Sequence, residues 1–275
     1  MTAPNFNRSI RIEKSAVGSA IVSGNGNTVY VIHQATEQQS QQLTEQPLLV
    51  QSTNDSKAQS GANPYKGLAA FIERDADQYF GRDVQVDRLR RRFQALHNLS
   101  GQKNALLRLL PILGPSGCGK SSLARAGLLP ELARYPLPGQ ANTQVAVLVP
   151  GTHPIEALGG VLAKAATQDP MPVRKTREFA SELKQRNKAG EYDGMRRITS
   201  LMPHIQASPL VVFVDQLEEI YTLCQDAEER RAFIDNLLCA ASDPTGYVSV
   251  VVTLRSDFLS DTQRHEQLNQ VIGSD

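Results

Sequence analysis

The sequence predicts an α/β fold in which helices flank a parallel sheet. Three observations carry that expectation. A mostly apolar run of strand length, Asn104 to Leu113, leads into a glycine-rich turn and then into residues with apolar side chains at helical spacing. A second short, β-branched run, Pro209-Leu-Val-Val-Phe-Val-Asp215, ends in a carboxylate, as a strand buried on both faces does when it delivers an acid to the sheet's C-terminal edge. Further strand-like runs at Gln144 to Val149 and Tyr247 to Leu254 alternate with helical patterns, and such alternation builds a parallel sheet.

Taken in chain order, residues 1–32 are β-rich and low in charge, with Ser9 to Ile12 and Ala20 to Ile32 turning at Gly24 to Asn27. Such a segment either forms a hairpin packed on the α/β domain or stacks into cross-β. Residues 33–62 are rich in Gln, Ser, Thr and Asn, bury too little apolar surface to offset ordering, and are expected to be a disordered linker. Residues 63–275 hold the α/β domain. Its first helix, Asp83 to Leu99, places Val84, Val86, Leu89, Phe93 and Leu96 on one stripe, leaving Arg88, Arg90, Arg91 and Arg92 as a solvated face. Pro111 donates no ladder hydrogen bond, so a local irregularity is expected in the strand Leu106 to Leu113. Ser122 to Ala133 is predicted helical. The basic stretch Arg174 to Gln206 carries interspersed Glu178, Glu182, Glu191 and Asp193, which favours a helical insertion over a nucleic-acid surface. Asp261 to Ile272 is predicted helical, and no run after Leu254 has strand character.

The turn after the first strand, Gly114-Pro115-Ser116-Gly117-Cys118-Gly119-Lys120-Ser121, is a complete G-x-x-x-x-G-K-[ST] phosphate loop between strand and helix. Backbone N–H groups can wrap phosphate oxygens only where side chains do not intrude, and Gly114 and Gly119 supply that clearance. Lys120 brings an ammonium to the β- and γ-phosphates, Ser121 offers a hydroxyl to Mg2+, and Ser122 completes the nucleotide-binding set. Asp215 is the expected second magnesium-side residue. The chain is therefore expected to bind ATP and Mg2+. Gln216 stands where fast ATPases often carry a glutamate, so hydrolysis is expected to be slow. Glu218 is the better candidate to orient the attacking water and Glu219 the second, against the alternative that both open a solvated helix.

With 275 residues, the chain has room for one large domain and tails. A formal net charge of +1 and a pI near 7.7 give no global reason to expect nucleic acid or an anionic membrane as partner. No apolar run is long enough to span a bilayer and no N-terminal leader pattern is present, so a cytoplasmic location is expected. Cys118, Cys224 and Cys239 lack metal-ligand spacing, and His153 has no catalytic partner in the sequence.

Several motifs together resemble the STAND nucleotidases, and within them the bacterial novel STAND NTPase type 1 branch. They are Asn63-Pro-Tyr-Lys-Gly-Leu68 with Tyr79-Phe-Gly-Arg-Asp83, the phosphate loop with Arg125-Ala-Gly-Leu-Leu-Pro130, Val149-Pro-Gly-Thr-His-Pro154, Asp215-Gln-Leu-Glu-Glu-Ile-Tyr-Thr222, and Thr253-Leu-Arg-Ser-Asp-Phe258. The resemblance runs from about Asn63 to the C-terminus. It implies a P-loop NTPase acting as an ATP-driven signalling switch in prokaryotic defence or stress response, monomeric with ADP and homo-oligomeric with ATP. It further implies that Arg82 lies near the nucleotide, with Asp83 replacing the usual glutamate, and that Arg255 senses the γ-phosphate from a strand end. The related NACHT pattern favours Glu218 over Glu219 for aligning water. In that class a fifth strand, a helical lid and a winged helix come next, so the sheet is expected to be incomplete. Residues 9–32 resemble RIP-homotypic-interaction-like amyloid motifs, which implies an effector protein carrying a matching motif. The alternative function is a nucleotide-stabilised, non-hydrolysing scaffold that templates a partner through residues 9–32. An ordinary AAA-type motor is disfavoured, because the sequence has no arginine-finger element.

Overall fold

Four short strands almost without polar side chains cannot face water on either side, and they lie at the centre of the molecule between two helical layers. The computed structural model describes residues 21–24, 27–31, 67, 69–98, 107–136, 140, 142–167, 169, 171–203 and 205–273. The expected linker, residues 33–62, and the Ser9 to Ile12 segment lie outside the described residues.

Strand β1 (Ile21–Gly24) and β2 (Asn27–Val31) pair antiparallel, with Gly24 opposite Asn27 as the turn residues predict. A 3-10 turn (Glu73–Gln78) precedes α1 (Asp83–Asn98), and β3 (Leu109–Gly114) leads into α2 (Lys120–Ser122). The latter continues through a π turn (Leu123–Leu128) into α3 (Leu129–Arg134). Then come β4 (Gln144–Leu148), α4 (Pro154–Thr167), α5 (Val173–Leu183), α6 (Gly194–Ser200) and β5 (Leu210–Val214). They are succeeded by α7 (Glu219–Thr222), α8 (Ala227–Ala241) and β6 (Val248–Arg255). After a 3-10 turn (Ser256–Phe258), α9 (Leu259–Thr262) and α10 (Glu266–Gly273) replace the single helix expected over Asp261 to Ile272.

The sheet order is β1-β2-β4-β5-β6-β3, and β3, β4, β5 and β6 are mutually parallel neighbours. This is the P-loop NTPase arrangement of a parallel sheet flanked by helices. Among the described residues β3 pairs only with β6 and so ends the sheet, while β2 joins β4 at the other side through Val29 opposite Val145. The β-rich N-terminal segment is thus paired to the α/β sheet as a hairpin over its described residues.

Alternation along the strands sends side chains into two cores. Leu210, Val212, Val214, Val250, Val252 and Leu254 pack with α4, α5, α6 and α8, whereas Val211, Phe213 and Val251 pack with Phe93 of α1 and Leu128, Leu129 and Leu132 of the loop helix. The irregularity expected at Pro111 is absent: β3 and β6 keep register from Leu109–Val250 through Gly114–Arg255. Val250 N–H donates to Arg108 C=O, and parallel-ladder parity then turns residues 110 and 112 toward β6 and the Pro111 nitrogen away from it. The edge position explains why proline is tolerated.

Several cations of the basic stretch after residue 174 are paired locally. Lys175 pairs with Glu178, Arg197 with Glu182 and Asp193, Arg196 with Asp193, and Arg186 with Glu228. On α1, Arg90 and Arg91 both pair with Asp87. No helix among the described residues is long and apolar enough to cross a membrane.

Candidate nucleotide site

Register fixes where the site must be. Gly114 ends β3 opposite Arg255, and Val214, just before Asp215, lies opposite Leu148, so the carboxyl ends of the parallel strands form one edge. Ligands of open α/β sheets bind in the crevice beyond that edge.

The phosphate loop leaves β3 exposed over residues 115–119 and closes into a helix at Lys120. Gly119 has φ 89°, a left-handed conformation that side-chain-bearing residues rarely adopt. A Cβ at Gly119 would meet no atom within 4 Å, so backbone conformation demands that glycine, whereas a Cβ at Gly114 would lie 2.8 Å from Cys118 Sγ. Within the loop itself, Gly119 is required by its backbone conformation and Gly114 by its close approach to Cys118. Lys120 Nζ donates to the carbonyls of Gly114 and Pro115, at 2.9 Å each. Its ammonium thus lies over the start of the loop.

Ser121 donates from Oγ to Asp215 Oδ1 at 2.7 Å, and Thr253 donates to the same oxygen at 2.7 Å. Asp215, 3% exposed, is held by two hydroxyls from two different elements. Thr253 Oγ1 also accepts from Gln216 N–H at 2.8 Å, which fixes the chain just beyond the acid. Gln216 itself is exposed, with φ 56°. The Ser121 hydroxyl and the Asp215 carboxylate are hard oxygen donors in direct contact, a set that suits magnesium, which takes few protein ligands and shares the rest with phosphate and water.

The turn after Asp215 splits the two glutamates. Glu218 is 8% exposed and accepts from Arg255 N–H at 3.3 Å, toward β6 and its neighbour β3. Glu219 accepts from Gly151 N–H at 3.1 Å, toward the end of β4 on the far side of β5. Burial pushes the Glu219 carboxyl above its ordinary range; the Gly151 N–H opposes this, and the charges of Glu218 and Asp215 add to it. A solvated first helical turn does not describe Glu218.

Arg255, at the end of β6, directs its guanidinium to Asp257, with Nε 3.1 Å from Oδ1 and Nη2 2.5 Å from Oδ2. The Phe258 ring lies 5.4 Å from Arg255 Cζ. Ser122 turns away from Ser121's partners and accepts from Phe71 N–H at 3.0 Å. Arg82 is exposed and lines a hollow with Tyr79, Val86, Gly127 and Glu131, formed by the α1 side and the loop helix. The structure thus brings Lys120, Ser121, Asp215, Glu218 and the backbone of Arg255 together at one sheet edge, and places Glu219 and Arg82 toward its flanks.

Sequence reasoning gave no role to Thr253, Gly151, Asp257 or the buried pair of Arg125 with Glu73. Thr253, Gly151, Asp257 and Arg125 do fall within the family-like motifs, which was the available signal. Their partners are 38, 68, 2 and 52 positions away along the chain, so for all but Asp257 the role needed the fold.

The family model described as Novel STAND NTPase 1 matches residues 64–275. No curated protein and no solved structure matches the chain.

Proposed function

We propose that this chain, which belongs to the Novel STAND NTPase 1 family, is an ATP-binding signalling switch reset by slow, magnesium-dependent hydrolysis. The observation that carries the reading is the 2.7 Å bond from Ser121 Oγ to Asp215 Oδ1, which joins the phosphate loop on β3 to the acid at the end of β5. A hydroxyl and a carboxylate meeting beside a loop lysine form an anion-and-cation site rather than a generic turn.

Each residue has a role in that reading. Lys120 exchanges its two loop carbonyls for the β- and γ-phosphate oxygens. Ser121 and Asp215 hold magnesium, which when bound neutralises phosphate charge. Glu218 orients the attacking water from the β6 side of the turn, and Arg255 donates to the γ-phosphate. Gln216 carries no acid beside Asp215, so turnover is slow and the ATP form persists. Self-association of that form and passage of the signal to an effector through the N-terminal segment, in a prokaryotic cytoplasm, complete the proposal. Arg82 reports nucleotide from the α1 side.

Phosphate release and particle mass are measured together on the purified chain with ATP and Mg2+. Lys120→Ala is expected to lose nucleotide binding. Glu218→Gln is expected to keep binding, lose turnover by about 100-fold or more, and accumulate the assembled form. Parental turnover in Glu218→Gln overturns its role. Assembly without any phosphate release in the parent instead supports a nucleotide-stabilised scaffold.

A further inference from the structure

We propose that Asp257 is an internal competitor of the γ-phosphate, holding the Arg255 guanidinium until ATP displaces it and so setting the preference for ATP over ADP. The inference rests on the reading of Arg255 as the γ-phosphate contact.

The geometry supports an exchange of partners. Arg255 ends β6 directly opposite Gly114, the first residue of the phosphate loop, so its side chain starts beside the loop. Its guanidinium meets Asp257 through two parallel contacts, Nε to Oδ1 at 3.1 Å and Nη2 to Oδ2 at 2.5 Å. A carboxylate and a terminal phosphate offer the same fork of two oxygens, so the two anions compete for one guanidinium face. Phe258 lies against the cation at 5.4 Å, and both Asp257 and Phe258 belong to the 3-10 turn just after the strand. Two residues of one short turn thus hold the cation. Lys120 bears on the same carboxylate: the Arg255 hydrogen bond lowers the Asp257 pKa most, and the Lys120 charge contributes in the same direction.

Solvent exposure decides the strength. The two side chains are 39% and 53% exposed. Ion pairs of that kind are weak, which suits a latch that a phosphate must open; removing it is expected to change affinity by about 2- to 5-fold. A buried pair would block the site outright.

The full chain is titrated with ADP and with the β,γ-imido analogue of ATP, both with Mg2+, by equilibrium binding. Asp257→Asn is expected to tighten the imido analogue by about 2- to 5-fold and leave ADP unchanged. In an Arg255→Ala background the same substitution is expected to have no effect on either nucleotide. If Asp257→Asn tightens both nucleotides equally in both backgrounds, Asp257 acts as general charge repulsion and the latch is overturned. If Arg255→Ala weakens the imido analogue but Asp257→Asn changes nothing, the latch alone fails. If Arg255→Ala leaves both affinities at parental values, the γ-phosphate contact fails and the latch with it.

Discussion

At the residue scale, one threonine holds together what the acidic motif supplies. Thr253 donates to Asp215 and accepts from Gln216 N–H, while Gln216 itself sits at φ 56°, a conformation that costs an ordinary L-residue roughly 1–2 kcal/mol. Such backbone persists only where surrounding bonds over-determine it, and the Thr253 hydroxyl is one of them. Thr253→Val keeps the shape and deletes both bonds. It is expected to lower stability by about 1–3 kcal/mol in urea unfolding, because a backbone donor and a buried carboxylate each lose a partner. Magnesium-dependent nucleotide binding should weaken in the same variant. Unchanged stability would mean that water replaces the hydroxyl.

At the scale of elements, the segment before α1 is clamped to the loop helix directly behind the phosphate loop. Arg125, on the π turn, reaches Glu73 through Nε at 3.0 Å and Nη2 at 3.1 Å, with side chains only 5% and 1% exposed. Ser122 accepts from Phe71 N–H one turn earlier, and the Phe71 and Tyr79 rings lie 5.6 Å apart. A Cβ on Gly127 would come 2.5 Å from Val86 Cγ2, so glycine is what lets α1 approach the helix. Widened π turns are frequent at functional sites. Removing one partner of a buried pair leaves a charge without compensation, so Arg125→Met is expected to cost about 3–5 kcal/mol. The double variant Arg125→Met with Glu73→Gln should recover part of that loss. A small effect of Arg125→Met alone would show that water or a neighbouring group compensates the carboxylate.

At the scale of the whole molecule, two helical layers bury groups that respond to pH. His97 of α1 bonds through Nδ1 to Phe93 O at 2.9 Å and through Nε2 to Ser249 Oγ of β6 at 2.8 Å. Burial pulls its pKa below the ordinary 6.5, with the Arg108 charge adding to this and the Phe93 carbonyl opposing it. Burial lowers His265 in the same way. For a base whose folded pKa is depressed, the unfolded chain takes up protons first, so stability present above pH 6.5 is lost as pH falls through the range below it. Thermal unfolding is therefore expected to move to lower temperature between about pH 7 and pH 5. His97→Gln should flatten that slope; an unchanged slope would assign the acid response to other groups. Glu219 has the opposite sign, its raised pKa making the ionised form the unfavourable one as pH rises.

The architecture and the centre of the site were legible in the chain itself. Short continuous apolar runs specify strands buried on both faces, a phosphate loop is local in sequence, and Asp215 comes directly after its strand, so none of these needed a distant contact to be read. Resemblance added the family, Arg82 and Arg255. Which of two adjacent glutamates turns toward β6 was settled by the fold, because that depends on backbone N–H groups 37 and 68 positions away. The fold also put Pro111 harmlessly on an edge, set Thr253 to serve Asp215, and buried Arg125 against Glu73. Strand patterns encode burial, whereas the choice of hydrogen-bond partner is made by sheet order and register, which bring distant strand ends to a common edge.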